Sequence, residues 1–186
     1  LACAALSPRC AAAATFASVG PYGEPDLDWV AGMGEDNVRE FAAALEGEDA
    51  LRPLHEDFAA GIREITPEQL RDELRTLLTP VDAAALTGEY AAYLLESFRV
   101  GFEPGVGGWL DDDLAFTRPW GFAPADISVP VQLWQGDQDL MVPHAHGEWL
   151  ARRIPGVEVH MAPGEGHLTV VDNHVGEVHA WLASQL

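Results

Sequence analysis

Residues 129–161 constrain this chain more than any other stretch. Val129-Pro130-Val131-Gln132-Leu133-Trp134 is short, apolar and β-leaning, and it stops at Gly136 as a buried strand does. Pro130 confines the strand's start, because proline has no N–H to give a neighbouring strand. A helical pattern begins at Pro143, carries Ala145, Trp149, Leu150 and Ile154, and stops at Pro155-Gly156. Val157-Glu158-Val159-His160-Met161 then alternates apolar and polar, the pattern of a half-buried or edge strand. Strand, helix, strand is a βαβ unit, so the strands should be parallel and the crossover right-handed.

Two residues gain meaning from that unit. Asp139, in Gly136-Asp137-Gln138-Asp139, follows the first strand, and His167, in Pro163-Gly164-Glu165-Gly166-His167, follows the second. Both therefore emerge on one rim of the sheet, where open α/β sheets bind ligands. An aspartate in a strand-end turn is by itself ordinary turn chemistry, and a lone histidine is more often a surface residue than a base. At βαβ spacing, each in a glycine-marked loop, the two read together as the acid and base of a catalytic pair. His55, His144, His146, His160, His174 and His179 take the plain structural reading. His144-x-His146 lacks the Cys or carboxylate partners of a zinc shell, so no metal is expected.

From Ile127 onward the chain resembles the C-terminal part of an α/β-hydrolase. The matching text is Val129-Pro130-Val131, Gly136-Asp137-Gln138-Asp139-Leu140-Met141-Val142-Pro143 and Gly164-Glu165-Gly166-His167. Leu1 to Cys10 resembles the helix that follows that family's nucleophile elbow, and Ala11 to Val19 the next strand, ending at Gly20-Pro21-Tyr22-Gly23. The resemblance implies Asp139 as triad acid and His167 as base. It also implies an α/β fold: a partial hydrolase sheet of about three parallel strands with flanking helices, plus a mostly helical cap insertion. Residues 1–23 and 120–186 would form the core and 24–119 the cap.

The nucleophile is the departure. Such enzymes carry Gly-x-Ser-x-Gly on a sharp strand-to-helix turn. Ser7 precedes Pro8 at a helix end, Ser18 lacks the first glycine, Ser97 lies within a helical pattern, Ser128 opens a strand and Ser184 is near the end. Cys3 and Cys10 sit in alanine-rich text. The chain starts without Met, and by analogy the elbow should lie just before Leu1, so a fragment of a longer protein is expected, inactive alone.

The middle segment reads as helices. Val38, Phe41, Ala42 and Leu45 follow helical spacing after Asp36 or Asn37 as cap, and Leu51, Leu54, Phe58, Ile62 and Ile65 continue it. Thr66-Pro67-Glu68-Gln69 is a capping box with proline at the first helical position. Thr79-Pro80 begins another helix, and Thr87 caps one carrying Tyr90, Leu94, Leu95 and Phe98. Pro104 to Asp113, rich in glycine and ending in three aspartates, reads as a flexible, solvated turn. Trp109, Phe116 and Trp120 line a pocket or fasten the helices to the sheet, anchoring being favoured. Trp120, with Leu140, Met141 and Leu168 beside the two motif residues, are the candidate substrate contacts.

Charge narrows the partners. The chain carries −20 net at pH 7, with ten arginines and no lysine, so nucleic acid and anionic membrane surfaces are repelled. Residues 24–126 hold 23 of the 30 acidic residues, which sets the middle apart from the ends. Two cysteines make no disulfide framework and fit a reduced, cytoplasmic setting. No stretch approaches the ~18 apolar residues of a membrane span.

The expected activity is hydrolysis of a small, mostly apolar carboxylic ester or related substrate, without a cofactor. An aspartate nucleophile would instead give epoxide hydrolase or dehalogenase chemistry. A non-catalytic, degenerate hydrolase that binds a ligand is the third reading. Besides the substrate, the expected partners are the missing N-terminal half of the fold and other copies of the chain, through an exposed strand edge.

Overall fold

The structure is a computed structural model that describes residues 1–186. Its sheet has three parallel strands, β1 (Ala13–Phe16), β2 (Val131–Gly136) and β3 (Glu158–Ala162), in the order β1-β2-β3. Ala13 registers with Val131, and Gln132 with Glu158. β2 is the central strand and buried throughout, and its two polar side chains, Gln132 and Gln135, are hydrogen-bonded there. Pro130 sits just before it and lends its carbonyl to Ala13 N–H at 3.0 Å, so the missing N–H costs the ladder nothing. β3 lies at an edge, but its burial does not follow the expected alternation: Glu158 and Val159 are both exposed, His160 and Met161 half-buried and Ala162 buried.

The two faces of β2 follow strand period. Val131 and Leu133 point into the larger core with Trp149, Leu150 and Ile154 of α8 (His144–Ala151) and the residues just after it. Trp134 points the other way, onto Val170 and Val178 of α9 (His167–Ser184). Leu133 and Leu150 are fully enclosed, each worth roughly 1.5–3 kcal/mol of burial. Short α1 (Ala2–Leu6) leads into β1.

Between β1 and β2 run α2 (Glu35–Glu46), α3 (Glu48–Glu64), α4 (Leu70–Glu73), α5 (Pro80–Ala85), α6 (Gly88–Gly101) and α7 (Gly107–Phe116). Leu51, Ile62, Leu70, Leu74, Ala91, Leu95 and Leu110 bury their inner faces in the same core that receives Leu133 and Trp149. Thr79-Pro80 and Thr87 stand at helix starts as their text implies. Gln69 Oε1 accepts Thr66 N–H at 2.9 Å, half of the expected capping box, although only one helical turn follows.

Three local expectations are corrected. Residues 107–116 form helix α7 and not a flexible turn: the glycines sit in its first turn, and Val106 and Leu110 are buried on its inner side. Of the aspartates there, Asp111 and Asp112 are exposed, but Asp113 follows Leu110 by three positions and is buried with it. In α2 the N-cap is Gly34, and Phe41 and Ala44 face inward while Val38 and Leu45 stay exposed.

Candidate active site

The loops that end β2 and β3 are joined backbone to backbone. Asp137 N–H donates to Ala162 O at 3.3 Å and Gln138 N–H to Glu165 O at 2.8 Å. Asp137 Oδ1 accepts Gly164 N–H at 2.8 Å. Gly136 permits this approach, since a Cβ there would overlap the Glu165 and Gly166 carbonyls.

The joined loops bring Asp139 against His167. His167 Nδ1–H donates to Asp139 Oδ2 at 2.9 Å. The carboxylate is fully enclosed and the imidazole is 29% exposed. Asp139 Oδ1 accepts the N–H groups of Met141 and Val142, each at 2.8 Å, and Oδ2 also receives Gln135 Nε2–H at 3.3 Å. Gln135 is held in turn by Val142 O at 2.7 Å. A carboxylate with this many donors is held in one orientation. With Nδ1–H committed to Asp139, the remaining ring nitrogen, Nε2, carries the lone pair and makes no hydrogen bond within the chain.

Behind the imidazole stands a residue the sequence did not single out. Asp82 of α5 is completely buried. Its Oδ2 accepts His167 N–H at 2.8 Å; its Oδ1 accepts Leu168 N–H and Thr169 N–H at 3.0 Å each and Thr169 Oγ1–H at 3.2 Å. It therefore caps α9 from a different helix, satisfying donors that a helix start leaves free and placing negative charge at the positive end of the helix dipole. A side chain at Gly166 would collide with this carboxylate. Nearby, burial raises the Asp172 carboxyl, and the Asp82 charge adds to the rise. Tyr90 is pushed up to about 12 by burial, then by Asp172 and Asp82.

The remaining candidates fall into place individually. Leu140 and Met141 are half-buried beside Asp139, and their carbonyls accept Gly34 N–H at 2.8 Å and Asn37 Nδ2–H at 3.1 Å. Asn37, suggested as a helix cap, is thus spent tying α2 to the strand-end loop. Leu168 packs in the main core at 9% exposure, and Trp120 stacks on Phe122 with centroids 5.3 Å apart. Two cavities, of about 330 and 430 Å³, lie elsewhere: none of Trp120, Leu140, Met141 or Leu168 lines either. His146 is fully buried and structural. Its Nδ1 accepts Gly20 N–H at 3.0 Å while Nε2–H donates to Trp29 O at 2.9 Å. Burial lowers its pKa and keeps it neutral. No helix is long and apolar enough to cross a membrane.

No protein-family model and no curated protein sequence matches the chain. Solved structures do. An α/β hydrolase fold protein from Nakamurella multipartita aligns over 100% of this chain and 64% of its own, with TM-score 0.61 and 21% identity. A meta-cleavage product hydrolase from Pseudomonas fluorescens IP01 aligns over 98% and 58%, with TM-score 0.52 and 15% identity. An esterase from Rhodococcus sp. ECU1013 aligns over 95% and 57%, with TM-score 0.52 and 17% identity. The chain thus spans less than two thirds of each of these proteins. Their names cover different reactions, so the shared fold does not choose among them. The chain carries the fold of the α/β-hydrolases.

Proposed function

We propose that this chain supplies the acid and base of a hydrolase triad, and that the nucleophile lies on a segment outside residues 1–186. The observation that carries the reading is the 2.9 Å hydrogen bond from His167 Nδ1 to a buried, fully hydrogen-bonded Asp139. His167 Nε2 takes the nucleophile's proton and later returns it to the leaving group; Asp139 fixes the tautomer and stabilises the imidazolium. Asp82 is a positioning residue, holding the backbone from which the imidazole projects. Residues 24–119 act as a cap over the strand ends, excluding water and shaping the substrate site.

With a serine nucleophile the reaction passes through an acyl-enzyme, and the substrate class is a small, mostly apolar carboxylic ester. An aspartate at the same place gives an alkyl-enzyme ester and epoxide or haloalkane substrates. The test is burst kinetics with a nitrophenyl ester on the full-length protein, followed by mass spectrometry of the trapped intermediate. Acylation of a serine outside residues 1–186 is the expected result, with no turnover by residues 1–186 alone. Ligand binding without a covalent intermediate supports a non-catalytic role instead.

A further inference from the structure

Away from the Asp139–His167 rim, three helices bury a cluster of ionisable groups. Glu40 of α2, His55 of α3 and Asp113 of α7 bring one ligand atom each to within 4.8 Å of one another. His55 is 1% exposed and Asp113 4%. Trp109 stacks flat on the His55 ring, centroids 3.7 Å apart at 8°, and Phe58 and Phe102 pack on Trp109. The surroundings are apolar, where uncompensated charge is costly.

The donors and acceptors do not balance. His55 Nε2–H points at Glu40 Oε1, 3.0 Å away. Asp113 Oδ2 lies 2.9 Å from that same nitrogen, yet it makes no hydrogen bond. One N–H serves one acceptor, and here two carboxylates converge on it. No arginine pairs with either carboxylate, and the chain has no lysine. Two carboxylate oxygens and one imidazole nitrogen thus meet at one buried point, and Asp113 Oδ2 is left without a partner there.

We propose that Glu40 Oε1, His55 Nε2 and Asp113 Oδ2 bind a divalent transition-metal ion of the zinc class, tying α2, α3 and α7 together. One imidazole with two carboxylates is a donor set for borderline ions and not for calcium, which takes six or more oxygens. A tetrahedral shell with metal–ligand bonds of ~2.1 Å separates its donors by ~3.4 Å, so the observed spacings open by a few tenths of an ångström on binding. The ion displaces the Nε2 proton, fixes the Nδ1–H tautomer and leaves its fourth position to water. Nδ1 has no acceptor in the chain. That missing outer contact weakens the site by ~10–100-fold against one whose histidine is supported. The site is independent of the hydrolase reading.

The test titrates the full chain with Zn²⁺ and Co²⁺, following heat and Co²⁺ absorbance. One ion per chain, a tetrahedral Co²⁺ spectrum and a Tm that rises with Zn²⁺ are expected. Glu40→Gln and Asp113→Asn, close in shape, should each weaken binding by ~10-fold or more. His160→Ala, which removes a surface imidazole paired with Glu158, should leave it unchanged. Cadmium NMR on the unaltered chain provides a readout that does not depend on any variant folding: a mixed nitrogen–oxygen signal supports the site. Absence of saturable binding overturns the proposal, as does binding undiminished in Glu40→Gln and Asp113→Asn. In either case a shared proton holds the two carboxylates.

Discussion

Asp82 accepts the backbone N–H of His167 at 2.8 Å, across 85 positions of sequence. The helix that begins with the candidate base is therefore started by a carboxylate from the inserted helices. The helices between β1 and β2 are thereby tied to the rim that carries Asp139 and His167. Asp82→Ala strands three N–H groups and a hydroxyl in a buried site, and should cost ~1–3 kcal/mol of stability. Urea denaturation measures this, and hydrogen exchange at Leu168 and Thr169 should rise in the variant. Unchanged exchange there would deny Asp82 its capping role.

Gly136→Ala tests how the two strand-end loops are held together. The added methyl meets backbone carbonyls, which cannot rotate away, so the loop before His167 must move. A loss of ~1–3 kcal/mol is expected, together with loosening of the Asp139–His167 hydrogen bond, read from the His167 ring-nitrogen NMR signals. Retained stability and retained signals would mean the loops can separate freely.

His146 gives a prediction about pH. Its folded pKa lies below the ordinary value, because burial disfavours the imidazolium. The unfolded chain therefore binds a proton that the folded chain refuses, and this residue's contribution is full above pH ~6.5 and falls as the medium becomes more acid. Stability differences between the natural chain and His146→Gln, measured at pH 8 and again below 6, should shrink at the lower pH. A difference that grows on acidification would contradict the neutral buried assignment.

Much of the sheet was legible because β2, α8 and β3 each obey a single period and end at glycine or proline. That alone put Asp139 and His167 on one rim, and the structure brings them together. Asp82 was not legible: Pro80-Val81-Asp82 looks like an acidic residue serving its own helix start, while its acceptor oxygens are spent on α9. Asp113 had a signal, its helical spacing from buried Leu110, but two neighbouring glycines and two further aspartates gave the segment the look of a turn. In α2, Phe41 faces inward as its spacing implied, but Val38 and Leu45 of the same stripe are exposed and Ala44 is buried instead.

β1 forms an edge of the sheet, and its residues are only half-buried. Residues 1–186 expressed alone should therefore self-associate through that edge. Light scattering after gel filtration should give masses above the 20.1 kDa of one chain. A stable monomer at micromolar concentration would contradict this.

We propose His167, oriented by Asp139, as the catalytic base. The most direct test is kcat/KM for a nitrophenyl ester in the full-length protein carrying His167→Ala. A loss of ~10³-fold or more is expected, as for other triad members; a loss below about tenfold would remove His167 from the mechanism.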